Sequence, residues 1–274
     1  MLFDYITKRR MGVVEILRMS KYIMTKDIFN YIKVLVVLFL PINIVLSMVN
    51  TLIANAASYF DLRVVLQSRE NITEFFASPQ YKTISRYGLI TMLIEMFVVP
   101  LIIMSVARIV KNYCTGKESA FETVFKEAFS KGYVLILSTI IYMALLVCGF
   151  TCFIIPGVVL LVFMIFYIYN IMLNDAGPWR AIKDSFKLVG KNWFWVALYS
   201  LLFFMVKTVF SQIVFMLIGF LAADVISTAI VTSVASLTDL LYYTAMTVLF
   251  LNISTGAFKI KKQRNVIDEI DNDI

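Results

Sequence analysis

Histidine is absent from this 274-residue chain. That removes the commonest general base, His-based nucleophilic triads and His-based metal sites. Cysteine is scarce, with only Cys114, Cys148 and Cys152. A structural zinc site takes about four ligands. Cys148 and Cys152, four apart on one helix face, have no companions and read as small buried hydrophobes near a helix end. Cys114 falls in a predicted cytoplasmic loop and is expected to be a reduced thiol. No phosphate-binding P-loop occurs, so any transport would need a gradient or a separate ATPase. No basic-plus-aromatic nucleic-acid motif occurs either. The expectation is a protein without catalytic residues, metal, cofactor or nucleic-acid partner.

Charge is sparse too. Asp, Glu, Lys and Arg make up 16% of the residues, and they are clustered. What lies between the clusters is apolar: the hydrophobic fraction is 61% and the mean hydropathy +0.85. Ordinary soluble domains are roughly 45–50% apolar. Uninterrupted apolar runs of about 20 residues are read as membrane spans. Six fit best, over 32–54, 87–107, 132–153, 157–173, 195–219 and 227–253. They lack period-2 alternation, so they are helices and not barrel strands.

Basic residues orient the spans. Of the 25 Lys and Arg, Arg63, Arg69, Lys82 and Arg86 lie between spans one and two, and Lys207 lies inside span five. All others flank the opposite side, so both termini are expected in the cytoplasm. The outer side then carries one long loop, 55–86, and short turns near Pro156–Gly157 and Ala222–Asp224. Asn71-Ile72-Thr73 in that loop reads as a chance glycosylation triplet. Ala54-Asn55-Ala56 has the small-x-small form of a cleavage site, but the preceding apolar run is too long for a signal peptide and span one reads as uncleaved. The tail 259–274 is basic and then acidic, and reads as solvated with its basic part on anionic lipid.

Three spans are entered from a helix-like charged stretch. In 180–193, Ile182, Phe186, Val189 and Trp193 share one helical face, while Arg180, Lys183, Asp184, Lys187 and Lys191 share the other. In 120–131 the stripe is Phe121, Val124, Phe125, Ala128 and Phe129, opposite Glu122, Lys126, Glu127 and Lys131. In the N-terminal region 1–31, Val13, Ile16, Leu17, Ser20 and Met24 form a less regular stripe. Such patterns mark amphipathic helices, and basic ones joined to a span lie in the headgroup layer. Trp179, Trp193 and Trp195 suit that depth. The expected fold is therefore a single all-α integral membrane domain over 1–274. It has six transmembrane helices in three hairpins, each preceded by an amphipathic interfacial helix on the cytoplasmic side.

The segment PLIIMSVARIVKNYCTGKESAFETVFKEAF and the later FIIPGVVLLVFMIFYIYNIMLNDAGPWRAIKDSFKLVGKNWFW resemble a bacterial multi-pass membrane domain. It occurs beside some glycerophosphodiester phosphodiesterases, and in stand-alone six-span proteins of unknown function. The Pro156–Gly157 pair and the pattern Ala181, Ser185, Leu188 or Val189, Asn192 and Trp193 carry the likeness. It implies a membrane module without the separate catalytic barrel, and so no phosphodiesterase activity here.

Ionisable residues inside spans are functional candidates by default. Glu95, Lys207 and Asp239 qualify, with Asn43 at similar depth. Lys207 and Asp239 lie equally far from the turn near residue 223, so an antiparallel hairpin pairs them. The four residues are expected to form an intramembrane polar cluster, either a transport path or a structural fastening. Pro100 is expected to kink span two beyond Glu95. The reading that follows is a non-enzymatic protein that organises lipids or assists a partner. Its partners would be anionic lipid headgroups and a membrane or cytoplasmic protein. The alternative is a secondary transporter or channel using the polar cluster.

Overall fold

The computed structural model describes residues 2–61, 65, 67–118 and 120–255. The fold is 88% helical, with no strand among the described residues. In chain order the helices are α1 (Leu2–Lys8), α2 (Val13–Lys26), α3 (Ile28–Ala57), α4 (Arg69–Ala77), α5 (Pro79–Cys114), α6 (Phe121–Ser130), α7 (Gly132–Cys152), α8 (Ile154–Asn174), α9 (Pro178–Gly190), α10 (Trp193–Leu221) and α11 (Val225–Ser254). Six of them, α3, α5, α7, α8, α10 and α11, are long and apolar enough to cross a membrane. They form three antiparallel hairpins, α3–α5, α7–α8 and α10–α11.

The expected outer loop 55–86 is largely helical. Helix α3 continues to Ala57, Ser68 caps α4 by accepting from the Asn71 amide, and α5 already starts at Pro79. Pro79 suits the first helical turn, where no amide hydrogen is needed. Pro156 likewise sits inside the first turn of α8, so the turn between α7 and α8 is Phe153 and not Pro156–Gly157. Arg63 and the tail 259–274 lie outside the described residues.

Helix α5 is continuous through Pro100, whereas three other spans depart from the regular α-helix in mid-course. Helix α3 widens into a π-turn at Leu35–Phe39, just before Pro41, which cannot donate to the preceding turn. Helix α8 is interrupted at Ile165–Phe166. Helix α11 is interrupted at Ser236, where the Ser233, Ser236 and Thr238 hydroxyls all bond back to carbonyls of the preceding turn. Such back-bonding competes with the helical ladder and bends it.

The core is concentrated at the end of the bundle that carries both ends of the described chain. The Asn252 side chain donates to the Ile6 and Arg9 carbonyls and accepts from the Met11 amide, so α1 starts where α11 finishes. The stretches 102–110 of α5, 167–173 of α8 and 244–253 of α11 are almost wholly buried there. Phe250 stacks on Tyr169 and meets Phe166 edge-on. Toward the far end the spans expose apolar residues such as Leu93, Val147, Phe210 and Met216, as lipid-facing surfaces do. Cys148 and Cys152 lie on this exposed surface, not buried as expected, and Cys114 is buried in the last turn of α5, not in a loop.

Each short helix packs on the returning span of the preceding hairpin: α6 on α5, and α9 on α8. Helix α2 has no hairpin before it and packs instead on the last returning span, α11. The chain thus closes a ring of three similar units. The sides the short helices bury face protein. In α9 these are Ala181, Ile182, Ser185 and Val189, while Trp193 of the expected stripe is exposed. In α2 they are Ile16, Met19, Ser20 and Ile23. In α6 they are Phe121, Val124 and Ala128, with Phe129 exposed. The stripes shift because a neighbouring helix covers small residues and serines that hydropathy alone ranks low.

Candidate functional site

The four intramembrane polar residues do not form one cluster. Lys207 Nζ lies 2.7 Å from Asp239 Oδ1, joining α10 to α11 at the depth that equal distance from the 222–224 turn requires. Asn43 belongs to a separate seam. Its amide donates to Ser233 Oγ at 3.0 Å and Ser236 Oγ at 3.4 Å, fastening α3 to the break in α11. Glu95 lies elsewhere again and makes no hydrogen bond or ion pair among the described residues. The separation follows from the helix faces: hydrophobic depth is legible along a sequence, but the rotation of each helix about its axis is set by packing.

Glu95 borders a cavity of about 360 Å³ between α5, α7, α8 and α11. Pro100, Tyr142, Tyr167, Tyr242 and Tyr243 share its wall, and the Tyr167 hydroxyl lies 3.2 Å from Thr139 Oγ1. Tyr242 also lines a narrow crevice that contains Lys207. It therefore stands between the Glu95 cavity and the Lys207–Asp239 pair. The break in α8 at Ile165 and the start of Tyr167 open onto this cavity.

Ser185 of α9 mends this same break in α8. Its hydroxyl donates to the Phe163 carbonyl at 2.8 Å and accepts from the Phe166 amide at 3.2 Å. Asn170 donates to the Ala181 carbonyl at 3.2 Å. The end of α8 is closed by two amines: Lys111 donates to the Leu173 carbonyl at 2.7 Å, and Lys131 to the Met172 carbonyl at 3.1 Å and to the Asp175 carboxylate. Cations there suit the negative end of the helix dipole. Arg108 pairs with Glu127, tying α5 to α6. Sequence reading gave Ser185 only as part of a resemblance, and missed Asn252 and both lysine caps; nothing in the sequence tells a capping lysine from a surface one.

The expected headgroup anchors Arg180, Lys183, Lys187, Lys191, Trp179, Trp193 and Trp195 all lie at the ring end and are exposed. Arg180 pairs with Asp184 on the same helix. The Arg10 guanidinium lies 3.7 Å from the Trp195 ring centroid, a cation–π contact joining α1–α2 to α10.

A match to a family described as a domain of unknown function (DUF7847) spans residues 26–259, the whole membrane body. The chain belongs to the DUF7847 family. The matched region holds every span, and α6 and α9 with their ring contacts, but it starts at the last residue of α2. The helices that close the ring onto Asn252 thus precede the DUF7847 region. No curated protein matches the chain, and no solved structure matches it. The comparisons show no link to glycerophosphodiester phosphodiesterases.

Proposed function

We propose that this DUF7847 protein is a non-enzymatic component of a bacterial cytoplasmic membrane that gathers anionic lipid headgroups around the ring end of its bundle. One observation carries the reading. The three short helices expose Lys21, Lys126, Lys183 and Lys187, and Lys191 is exposed just after α9; none of these has an ion-pair partner among the described residues. Their buried sides are anchored on spans, so the amphipathic helices hold their charges at a fixed height. Exposed tryptophans beside them belong at the headgroup level. Each basic residue near an anionic surface is worth about 1 kcal/mol, falling off within a Debye length. The basic bias of this end supports a cytoplasmic position for it and for both termini. The family resemblance to membrane modules is consistent with this, and a protein partner with an acidic surface would use the same residues.

The test is lipid retention. The protein would be extracted gently and its bound lipids and proteins identified by mass spectrometry. Enrichment of phosphatidylglycerol over phosphatidylcholine, lost in a Lys183→Glu, Lys187→Glu, Lys191→Glu variant, is the expected result. No headgroup preference sinks the lipid reading, and a stoichiometric protein partner would replace it. Thiol labelling of Lys126→Cys and Lys187→Cys in a cysteine-free background checks the orientation; reaction from outside the cell would reverse it.

The second reading is a gradient-driven carrier. The observation in its favour is that two spans, α8 and α11, are broken in mid-course, with Glu95 beside one break and Asn43 at the other. Discontinuous helices are where carriers build their sites. Liposome flux that persists unchanged in Glu95→Gln would discard it.

A further inference from the structure

Glu95 presents a charge problem that the protein does not solve internally. A carboxylate at mid-bilayer depth is costly unless it is paired. Among the described residues none bonds to it, and Lys207, the one basic residue at that depth, is taken by Asp239 at 2.7 Å on the far side of Tyr242. The Glu95 side chain is exposed, so a countercharge from outside the chain can reach it.

The cavity beside Glu95 specifies what kind of cation fits. Its volume of about 360 Å³ lies within the range of about 300–1,000 Å³ typical of small-molecule sites. Its walls are apolar apart from Glu95, Thr139 and tyrosines. The Tyr142 and Tyr167 rings stack at 4.9 Å, and Tyr242 and Tyr243 meet at 5.7 Å. A bare metal ion would need several oxygen ligands, whereas no group of three Asp, Glu or Cys that could hold one occurs among the described residues. Aromatic rings lining a cavity beside a single carboxylate instead suit an organic ammonium group.

We propose that the cavity bordered by Glu95 and the tyrosines Tyr142, Tyr167, Tyr242 and Tyr243 is a binding site for an organic ammonium cation with an apolar body. The charge sits against the Glu95 carboxylate and the alkyl groups against the rings. This site lies on different helices and at a different depth from the basic headgroup surface, so either assignment stands if the other falls.

The test uses benzyltrimethylammonium and its uncharged carbon isostere, neopentylbenzene. Both have the same shape and differ only in charge. Binding to the full-length protein in dodecyl-maltoside is measured by equilibrium dialysis, with empty micelles as reference. The wild type is expected to bind the cation at least about tenfold more tightly than the isostere. Glu95→Gln, which keeps the side-chain shape, is expected to abolish that preference while leaving the melting temperature near wild type. Equal binding of the two probes by the wild type overturns the proposal, and that comparison needs no variant to fold. A preference that survives in Glu95→Gln overturns it as well.

Discussion

At the scale of single residues, the strongest constraints are side chains that satisfy another segment's backbone. Asn252 serves the Ile6 and Arg9 carbonyls and the Met11 amide at once, and is itself fully buried. Leaving buried backbone groups unpaired costs about 1–3 kcal/mol each. Asn252→Leu is therefore expected to destabilise the protein by about 3 kcal/mol or more, read as a lowered melting temperature in detergent. A variant that melts like the wild type would show that water replaces the amide. The Lys207–Asp239 pair makes a different prediction. Lys207→Met or Asp239→Leu alone leaves one charge without a partner, whereas the double variant leaves none. The double is expected to be more stable than the sum of the singles by about 1–2 kcal/mol, measured as a double-mutant cycle on thermal unfolding. Strict additivity would mean that the two side chains do not depend on each other.

At the scale of elements, the ends and breaks of helices carry the tests. Asp175 follows α8 in a left-handed conformation, φ 51°, which Asp and Asn tolerate better than most residues. The Lys131 amine beside it, through a hydrogen bond, holds its carboxyl below the ordinary value of 3.8. A depressed folded-state pKa contributes stability that is complete above the unfolded value. That stability is lost as pH falls from about 4 through the lower folded value. Because the carboxylate is 75% exposed, the contribution is small, about 0.5 kcal/mol, and screened by salt. Asp175→Asn keeps the backbone preference and removes the charge, so its acid-unfolding curve should lack this component; an unchanged curve would refute the pairing. Where α7 meets α8, a Cβ on Gly157 would lie 2.4 Å from the Phe150 ring, and one on Gly149 2.6 Å from Leu160. Gly157→Val is expected to push the hairpin apart and cost about 1–3 kcal/mol, detectable as lower abundance in membranes.

At the scale of the whole molecule, the ring closure is what makes three hairpins one body. Ile6, Met11 and Ile16 are fully buried at the join, although they precede the region that the family match covers. Burying one such side chain contributes about 1.5–3 kcal/mol. Deleting residues 2–12 is accordingly expected to lower the melting temperature further than Asn252→Leu does, and to broaden the size-exclusion peak. An equal effect of the two would mean that the hydrogen bonds, not the apolar contacts, hold the ring.

The spans, the three short helices before hairpins and the Lys207–Asp239 register were legible because they depend on one-dimensional quantities: run length, charge position and distance from a turn. What hydropathy could not supply was rotation. It placed Glu95, Asn43, Lys207 and Asp239 at one depth, but packing pairs Lys207 with Asp239, turns Asn43 to the serines of α11 and leaves Glu95 without a hydrogen bond or ion pair among the described residues. It placed Phe129 and Trp193 on apolar stripes, and those rings are exposed, but it did not show that Ala181 and Ser185 are the residues covered by a neighbouring helix. It read 55–86 as loop because charged residues interrupt the apolar run, although capping by Ser68 and Ser78 lets helices continue through it. The sequence by itself determined a membrane-crossing bundle with one basic end, since the cost of unpaired backbone in hydrocarbon leaves few alternatives. Only the tertiary structure decided that α2 closes the ring on α11 and that Glu95 borders a tyrosine-lined cavity, because both depend on which helix faces meet in space.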